Sequence, residues 1–361
     1  ILKEEYFCRD DKVKLAMDVA KKEFSLTQGM QHERCANVYI GIPFCPTICA
    51  YCSFSSFPAG RYRDKMDAYL DALEKEMTQC KEWLAGKQMV SVYVGGGTPT
   101  SLSEEQFERL MAMTEKYLPM EQSKEFTVEA GRPDSITEGK LRSMKTHGVT
   151  RISINPQSMK EHTLELLGRK HTVEEIREKF MLARTLGFDN INMDLIAGLP
   201  EETLEDFKET LREVEALKPD SITVHTLVIK RASRLRKEQL EQGGEMREED
   251  ACIEPMQKEA EQFCRVHGYE PYYMYRQKNK AHTTRNTNQE NVAYAKPGKE
   301  CLYNIFIMEE LQSILALGSG GSSKIVFPEE NRMERVENVK SVDDYIGRID
   351  EMIRRKKESW R

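Results

Sequence analysis

Six short apolar runs, each followed by residues with helical spacing, constrain the fold of this chain more than any other feature. They are NVYIGIP (37–43), VSVYVGG (90–96), EFTVEA (125–130), TRISINP (150–156), FDNINMDLIAG (188–198) and SITVHTLVI (221–229). Between them, Met66, Tyr69, Leu70, Leu73, Met77 and Leu84 mark one apolar helix face, and Leu204, Phe207, Leu211 and Val214 mark another. Strands that alternate with amphipathic helices pair in parallel and carry the helices outside the sheet. The expected class is therefore α/β, and an open sheet or a partial barrel satisfies the pattern over residues 36–230. Residues 1–35 begin in mid-helix pattern, so the natural chain is expected to extend before Ile1. Beyond residue 230 the alternation breaks into charged helical stretches, a tyrosine-rich polar segment (269–300) and a helical C-terminus. This predicts a smaller α+β module over 231–361. Its RRKK run (354–357) reads as a solvated last turn whose cations favour the helix dipole.

A chain of 361 residues, 39% hydrophobic, can bury a large core. Its net charge of -6 creates no field to attract nucleic acid or an anionic membrane surface, so an anionic ligand must be met by local cations. No apolar run approaches a membrane span, and a cytoplasmic location is expected. Nine cysteines, an odd number, argue for reduced thiols rather than a disulfide framework.

Three of those cysteines crowd into GIPFCPTICAYCSF (41–54), as Cys45, Cys49 and Cys52. A structural zinc site wants four ligands, and no second cysteine pair lies nearby; Cys35 precedes the strand that carries the others. Unconnected buried thiols are a second reading. The third is a [4Fe–4S] cubane, which takes one protein thiolate per iron and here leaves one iron open to a small molecule.

Other chemistry-bearing residues sit where strands end, as parallel β/α folds gather their sites. GGGTPT (95–100) follows the second run, and its glycines predict close backbone approach and unpaired N–H groups facing a ligand. Glu129, Gln157 and Asp194 close the third, fourth and fifth runs in apolar surroundings, where a carboxylate is costly unless paired or liganded.

Together YIGIPFCPTICAYCSF, GGGTPT, VEAGRPD, RISINPQS, LGRKHT and MDLIAGLPEET resemble the radical S-adenosylmethionine (AdoMet) family of oxygen-independent coproporphyrinogen III dehydrogenases, or oxidases. The tail YYMYRQKN…ENVAYAKPGKECLYNI…ILALGSGGSSK is similar to a Gram-positive-type branch with an additional N-terminal region. The resemblance implies a partial (β/α)6 TIM-like barrel, the radical SAM fold. It implies a [4Fe–4S] cluster on Cys45, Cys49 and Cys52, with Tyr39 over it beside AdoMet. It further implies AdoMet contacts at Gly96, Gly97, Thr98, Glu129, Gln157, Arg169 and Asp194, with Arg169 suited to the carboxylate end. In the family's reaction a 5′-deoxyadenosyl radical removes a propionate hydrogen; carbon dioxide and one electron leave, and a vinyl group forms, twice per porphyrinogen.

One position departs from that pattern. Characterised bacterial dehydrogenases resemble C-x3-C-x2-C-x-C, and Phe54 occupies the place of the fourth cysteine. Relatives without it include haem-trafficking proteins and anaerobic haem-modifying methyltransferases, so the implied tetrapyrrole partner is coproporphyrinogen III or haem. A low-potential donor such as flavodoxin or ferredoxin, and action as a monomer, belong to the same expectation. For the substrate, Arg276, Lys278, Lys280, Arg285, Lys296 and Lys299, interleaved with Tyr275 and Tyr294, are expected to close the pocket and meet propionates, with Arg276 and Lys278 foremost. His171, His225 and His282 are the histidines nearest the expected sites.

Overall fold

The computed structural model describes residues 2–5, 8–52, 56–227, 252–276 and 290–360. All six expected runs are strands: β1 (Cys35–Ile42), β2 (Gln88–Gly96), β3 (Glu125–Gly131), β4 (Arg151–Ile154), β5 (Ile191–Ala197) and β6 (Ser221–Thr226). Five more follow: β7 (Glu270–Arg276), β8 (Glu290–Ala295), β9 (Ser313–Leu317), β10 (Ser322–Phe327) and β11 (Arg332–Glu337). They form one sheet in the order β11-β10-β9-β1-β2-β3-β4-β5-β6-β8-β7. Strands β1 to β6 are parallel in chain order, and β9 adds in parallel outside β1. Antiparallel strands finish both edges. The stretch read as a C-terminal module thus contributes strands to both sides of the six-stranded unit.

The longer helices are α1 (Asp10–Thr27), α2 (Met66–Met77), α3 (Glu104–Tyr117), α4 (Glu138–Thr146), α5 (Val173–Thr185), α6 (Leu204–Leu217), α7 (Ile253–Val266), α8 (Leu302–Glu309) and α9 (Ile349–Ser359). Capping boxes start three of them, at Ser103 for α3, Thr172 for α5 and Thr203 for α6, where a hydroxyl and a side-chain carbonyl or carboxylate satisfy orphan N–H groups. The expected faces are the buried ones: Tyr69, Leu70, Leu73 and Met77 on α2, and Phe207, Leu211 and Val214 on α6.

Successive strand residues point to opposite faces, and here the two faces differ in chemistry. One carries Val38, Ile40, Val92, Val94, Phe126, Val128, Ile152, Ile154, Met193, Leu195, Ile222 and Val224, packed with the helices into the main core. The other carries Asn37 and Tyr39, Ser91 and Tyr93, Glu125, Thr127 and Glu129, Arg151 and Ser153, Asn192 and Asp194, and Ser221, Thr223 and His225. Bonds across this second face join Ser91 to Asn37, Tyr93 to Glu129, Arg151 to Ser221 and Asn192 to Thr223. A packed TIM barrel has branched apolar layers there; this interior is polar.

Helix α8 closes the end of that interior where the strands begin. Glu125, the first residue of β3, accepts hydrogen bonds from the N–H groups of Leu302 (2.6 Å) and Tyr303 (3.3 Å), placing a carboxylate at the positive end of the helix. The opposite end, at the strand C-termini, is the mouth.

The RRKK expectation fails at Lys356. Its side chain is fully buried and its Nζ donates to Glu76 Oε1 (2.6 Å) and Asn338 Oδ1. Glu76 stands inside on α2, and a buried carboxylate demands a cation; α9 supplies it, while Arg354 and Lys357 stay exposed as expected. No helix of the described residues is long and apolar enough to cross a membrane.

Candidate functional site

The cysteine loop leaves β1 at the mouth. Phe44–Cys45 pairs in parallel with Phe57–Pro58, closing the loop at its base. Residues 53–55, including Phe54, lie outside the described residues. From one side, the Ala50 N–H donates to Leu167 O (3.1 Å) and Thr47 Oγ1 to Gly168 O (3.1 Å). From the other, Arg132 Nη1 donates to Thr47 Oγ1 (2.6 Å) and lies 4.0 Å from Cys49 Sγ. Thr98 Oγ1 is 3.6 Å from Cys45 Sγ. Burial pushes the Cys45 thiol up to about 11, opposed by the Thr98 hydrogen bond and reinforced by Cys52 and Cys49.

All nine cysteines are free of disulfides. Among the described residues no three Cys, His, Asp or Glu side chains converge on a position for one metal ion. Cys35 begins β1 at the end far from Cys45 and is buried. These facts weigh against zinc. A cubane has no such requirement, because each thiolate takes a different iron. The donor set fits it: three partly exposed thiols on one tethered loop, with the buried guanidiniums of Arg132 and Arg169 beside Cys49 to balance thiolate charge.

The glycine-rich turn behaves differently from its expectation. The N–H groups of Gly97 and Thr98 donate to Ile42 O (2.8 Å) and Phe44 O (2.7 Å), so they are paired rather than open. A Cβ at Gly97 would stand 2.6 Å from Phe44 O, and one at Gly95 would stand 2.8 Å from the Glu129 carboxylate carbon. Glycine is needed because two backbones meet there, locking the turn to the strand that carries the cysteines.

Tyr39 lies mid-strand, its ring 6.2 Å from Tyr93 and 6.1 Å from Tyr303 in near-parallel stacks, with Gly96 over its hydroxyl. Tyr93 donates to Glu129 Oε1 (2.6 Å). Burial pushes the Glu129 carboxyl up to about 7; the Tyr93 bond opposes this and the nearby Asp194 adds to it. Burial also raises Asp194, but His225 (Nε2 at 3.8 Å), Asn192 (2.7 Å) and Arg151 outweigh it and hold the carboxyl below the ordinary range. Gln157 follows β4 with φ +71°, unusual for a residue bearing a Cβ. Its N–H bonds Asp194 O and its carbonyl accepts from Ile196 N–H, bridging to β5 beyond the end of β4. Arg169 Nη1 donates to Asn155 O (2.6 Å) and Nη2 to Tyr51 Oη (3.3 Å). Its Nε and the Asn155 Oδ1 are buried without a hydrogen-bond partner.

The mouth therefore gathers Cys45, Cys49, Cys52, Tyr39, Gly96, Gly97, Thr98, Glu129, Gln157, Arg169 and Asp194. Arg276 ends β7 and its backbone pairs with Glu290 on the mouth side; Lys278, Lys280, His282 and Arg285 lie outside the described residues. Tyr294, Lys296 and Lys299 do not join this group. Strand β8 runs away from the mouth, so Tyr294 is buried opposite Ile222, Lys296 sits 5.4 Å from the Tyr269 ring centroid and Lys299 pairs with Asp189. Sequence reasoning passed over Arg132, Tyr51, Tyr93 and Tyr303. Tyr93 shares the parity of Ser91 and Gly95, a signal available in the alternation; Tyr303 comes from a remote helix and carried none.

The radical SAM superfamily signature matches residues 39–214. The oxygen-independent coproporphyrinogen-III oxidase-like protein HemZ of Bacillus subtilis is 40% identical over 353 residues, covering 97% of this chain and 69% of that protein. The haem chaperone HemW of the same organism is 38% identical over 194 residues, 54% of this chain and 50% of its own. Among solved structures, coproporphyrinogen III oxidase HemN from Escherichia coli superposes with a TM-score of 0.68 at 24% identity, over 91% of this chain and 72% of that one, a match of fold.

Proposed function

We propose, for a chain that belongs to the radical SAM superfamily and within it to the oxygen-independent coproporphyrinogen III oxidase-like family, that it oxidatively decarboxylates coproporphyrinogen III propionates to vinyl groups. The superfamily uses a [4Fe–4S] cluster and AdoMet. Bound together, they supply an electron to the sulfonium and a carbon-centred radical able to take hydrogen from an unactivated carbon.

The chain's residues bind and orient. Cys45, Cys49 and Cys52 would anchor the cluster, on a loop held by Arg132 on one side and by residues 167–168 on the other. Glu129 and Asp194 would accept hydrogen bonds from AdoMet, Gln157, the Gly96–Thr98 turn and Tyr39 would line its site, and Arg169, whose Nε has no partner, would meet its carboxylate. Arg276 and Lys278 are the cations assigned to the substrate's propionates. That role is supported by the backbone pairing of Arg276 with Glu290 on the mouth side. A flavodoxin or ferredoxin delivers the electron to a monomer.

The observation that carries the reading is 40% identity to a coproporphyrinogen-oxidase-like protein through 97% of the chain, edge strands included. Phe54 in the fourth cysteine's place, together with the likeness to a protein named a haem chaperone, favours haem binding without turnover as the second reading. Anaerobic incubation with AdoMet and reductant tests both, with coproporphyrinogen III in one tube and haem in the other. Vinyl products by mass, with 5′-deoxyadenosine, are expected. Stable haem binding with an unaltered porphyrinogen would establish the second reading.

A further inference from the structure

Arg132 stands directly after β3, at the end of a strand whose last residue, Gly131, has φ +67°. That turn returns the arginine side chain to the cysteine loop. The side chain is 4% exposed. One edge of its guanidinium faces Asp134, with Nε 3.0 Å from Oδ1 and Nη2 2.7 Å from Oδ2. The other edge donates through Nη1 to both oxygens of Thr47, at 3.1 Å to the carbonyl and 2.6 Å to the hydroxyl. The same nitrogen is 4.0 Å from Cys49 Sγ. Behind Asp134 lies His171, its side chain fully buried and its Nδ1 3.8 Å from Oδ1. Both edges of the fork are occupied by the protein, so Arg132 is not offered to AdoMet or to a propionate.

A fixed cation beside one thiolate ligand favours the oxidation level that carries more negative charge. For an iron–sulfur cluster that is the reduced level. Asp134 lies on the far side of the guanidinium from Cys49, so it fixes the fork's orientation and partly offsets its charge. We propose that Arg132, oriented by Asp134, is a positioning residue that seats the loop between Cys45 and Cys49 and raises the reduction potential of the cluster. The proposal rests on reading Cys45, Cys49 and Cys52 as cluster ligands.

The test uses the full chain, reconstituted anaerobically, as wild type, Arg132→Gln, Arg132→Lys and Asp134→Asn. Iron and sulfide content is measured first, then the midpoint potential by redox titration followed by EPR, with no substrate present. A unit charge near a thiolate, partly offset by Asp134, is worth about a tenfold change in the reduced-to-oxidised ratio at a protein's effective dielectric. Arg132→Gln should move the potential negative by that ratio, Arg132→Lys should recover most of it, and Asp134→Asn should move it positive. Opposite signs for the Gln and Asn variants are what a merely structural role would not produce. Shifts of the same sign, or wild-type potentials in both, overturn the proposal. Should Arg132→Gln fail to hold a cluster, Asp134→Asn decides: a positive shift supports the proposal and an unchanged potential overturns it. Wild-type protein that takes up no iron and sulfide overturns the ligand reading itself, and the proposal with it.

Discussion

Glu76 and Glu129 are carboxylates held within the same fold, one outside the parallel sheet and one inside its mouth, and their surroundings differ in completeness. Glu76 accepts hydrogen bonds from Gly318 N–H (2.9 Å), Asn338 Nδ2 (2.9 Å), Tyr345 Oη (2.6 Å) and Lys356 Nζ (2.6 Å). Its network continues through Tyr69, which donates to Gly41 O (2.6 Å) and accepts from Ser319 N–H (3.0 Å), so β1, β9 and α9 are clasped together. Glu129 has the Tyr93 hydroxyl and the Gly96 N–H, no ion pair among the described residues, the field of Arg151 in its favour and Asp194 as a like-charged neighbour. Around it Arg169 Nε, Asn155 Oδ1, Ser153 Oγ and Thr127 Oγ1 lack partners. A satisfied buried network rigidifies a fold, whereas an incomplete one carries a cost that a ligand can relieve. The clasp is architecture, and the mouth is prepared for something polar.

That contrast can be broken by mutation, and the largest effect belongs to the clasp. Lys356→Met leaves Glu76 buried without its cation and should cost about 3–5 kcal/mol, read by urea unfolding. Adding Glu76→Leu should return part of that loss; a destabilisation below about 1 kcal/mol in the single variant would remove the distinction between the two regions. At the mouth, Glu129→Gln should stabilise the ligand-free chain, and only above acidic pH. With its carboxyl at about 7 when folded against 4.5 ordinarily, the native state holds a proton that the unfolded chain has lost. Wild-type stability therefore falls as pH rises from about 4.5 to 7, by roughly 3 kcal/mol, and Glu129→Gln escapes this. The two proteins should match below pH 4.5 and diverge by pH 7; parallel profiles would contradict the assignment. AdoMet binding to Glu129→Gln should weaken in the same samples. Smallest is Asn155→Ala, which removes an acceptor with no partner and should change stability by no more than about 0.5 kcal/mol.

The sheet's parallel core was readable because each strand declares itself by β-branched residues and each helix by its face. The placement of the candidate residues at the strand ends was readable at Cys45, Cys49 and Cys52, from their spacing after the first run, and at Glu129 and Asp194, where charge interrupts an apolar run. Lys356 misled because a lysine among arginines at a helix end looks solvated; only Glu76, 280 positions away, draws it inside. Lys296 and Lys299 misled because proximity in sequence to Arg276 hid the full strand height that separates them. At the glycine-rich turn only the expectation of open N–H groups fails, since the pairing of Gly97 and Thr98 depends on where the neighbouring strand stops.

In the proposed function three thiolates hold a cubane whose fourth iron is left to AdoMet. The most direct measurement is iron and sulfide analysis of anaerobically reconstituted protein, followed by EPR of the reduced sample before and after AdoMet is added. About four of each per chain and a spectrum altered by AdoMet are predicted, both lost in Cys49→Ala. Zinc in place of iron, or a cluster whose spectrum ignores AdoMet, would contradict it.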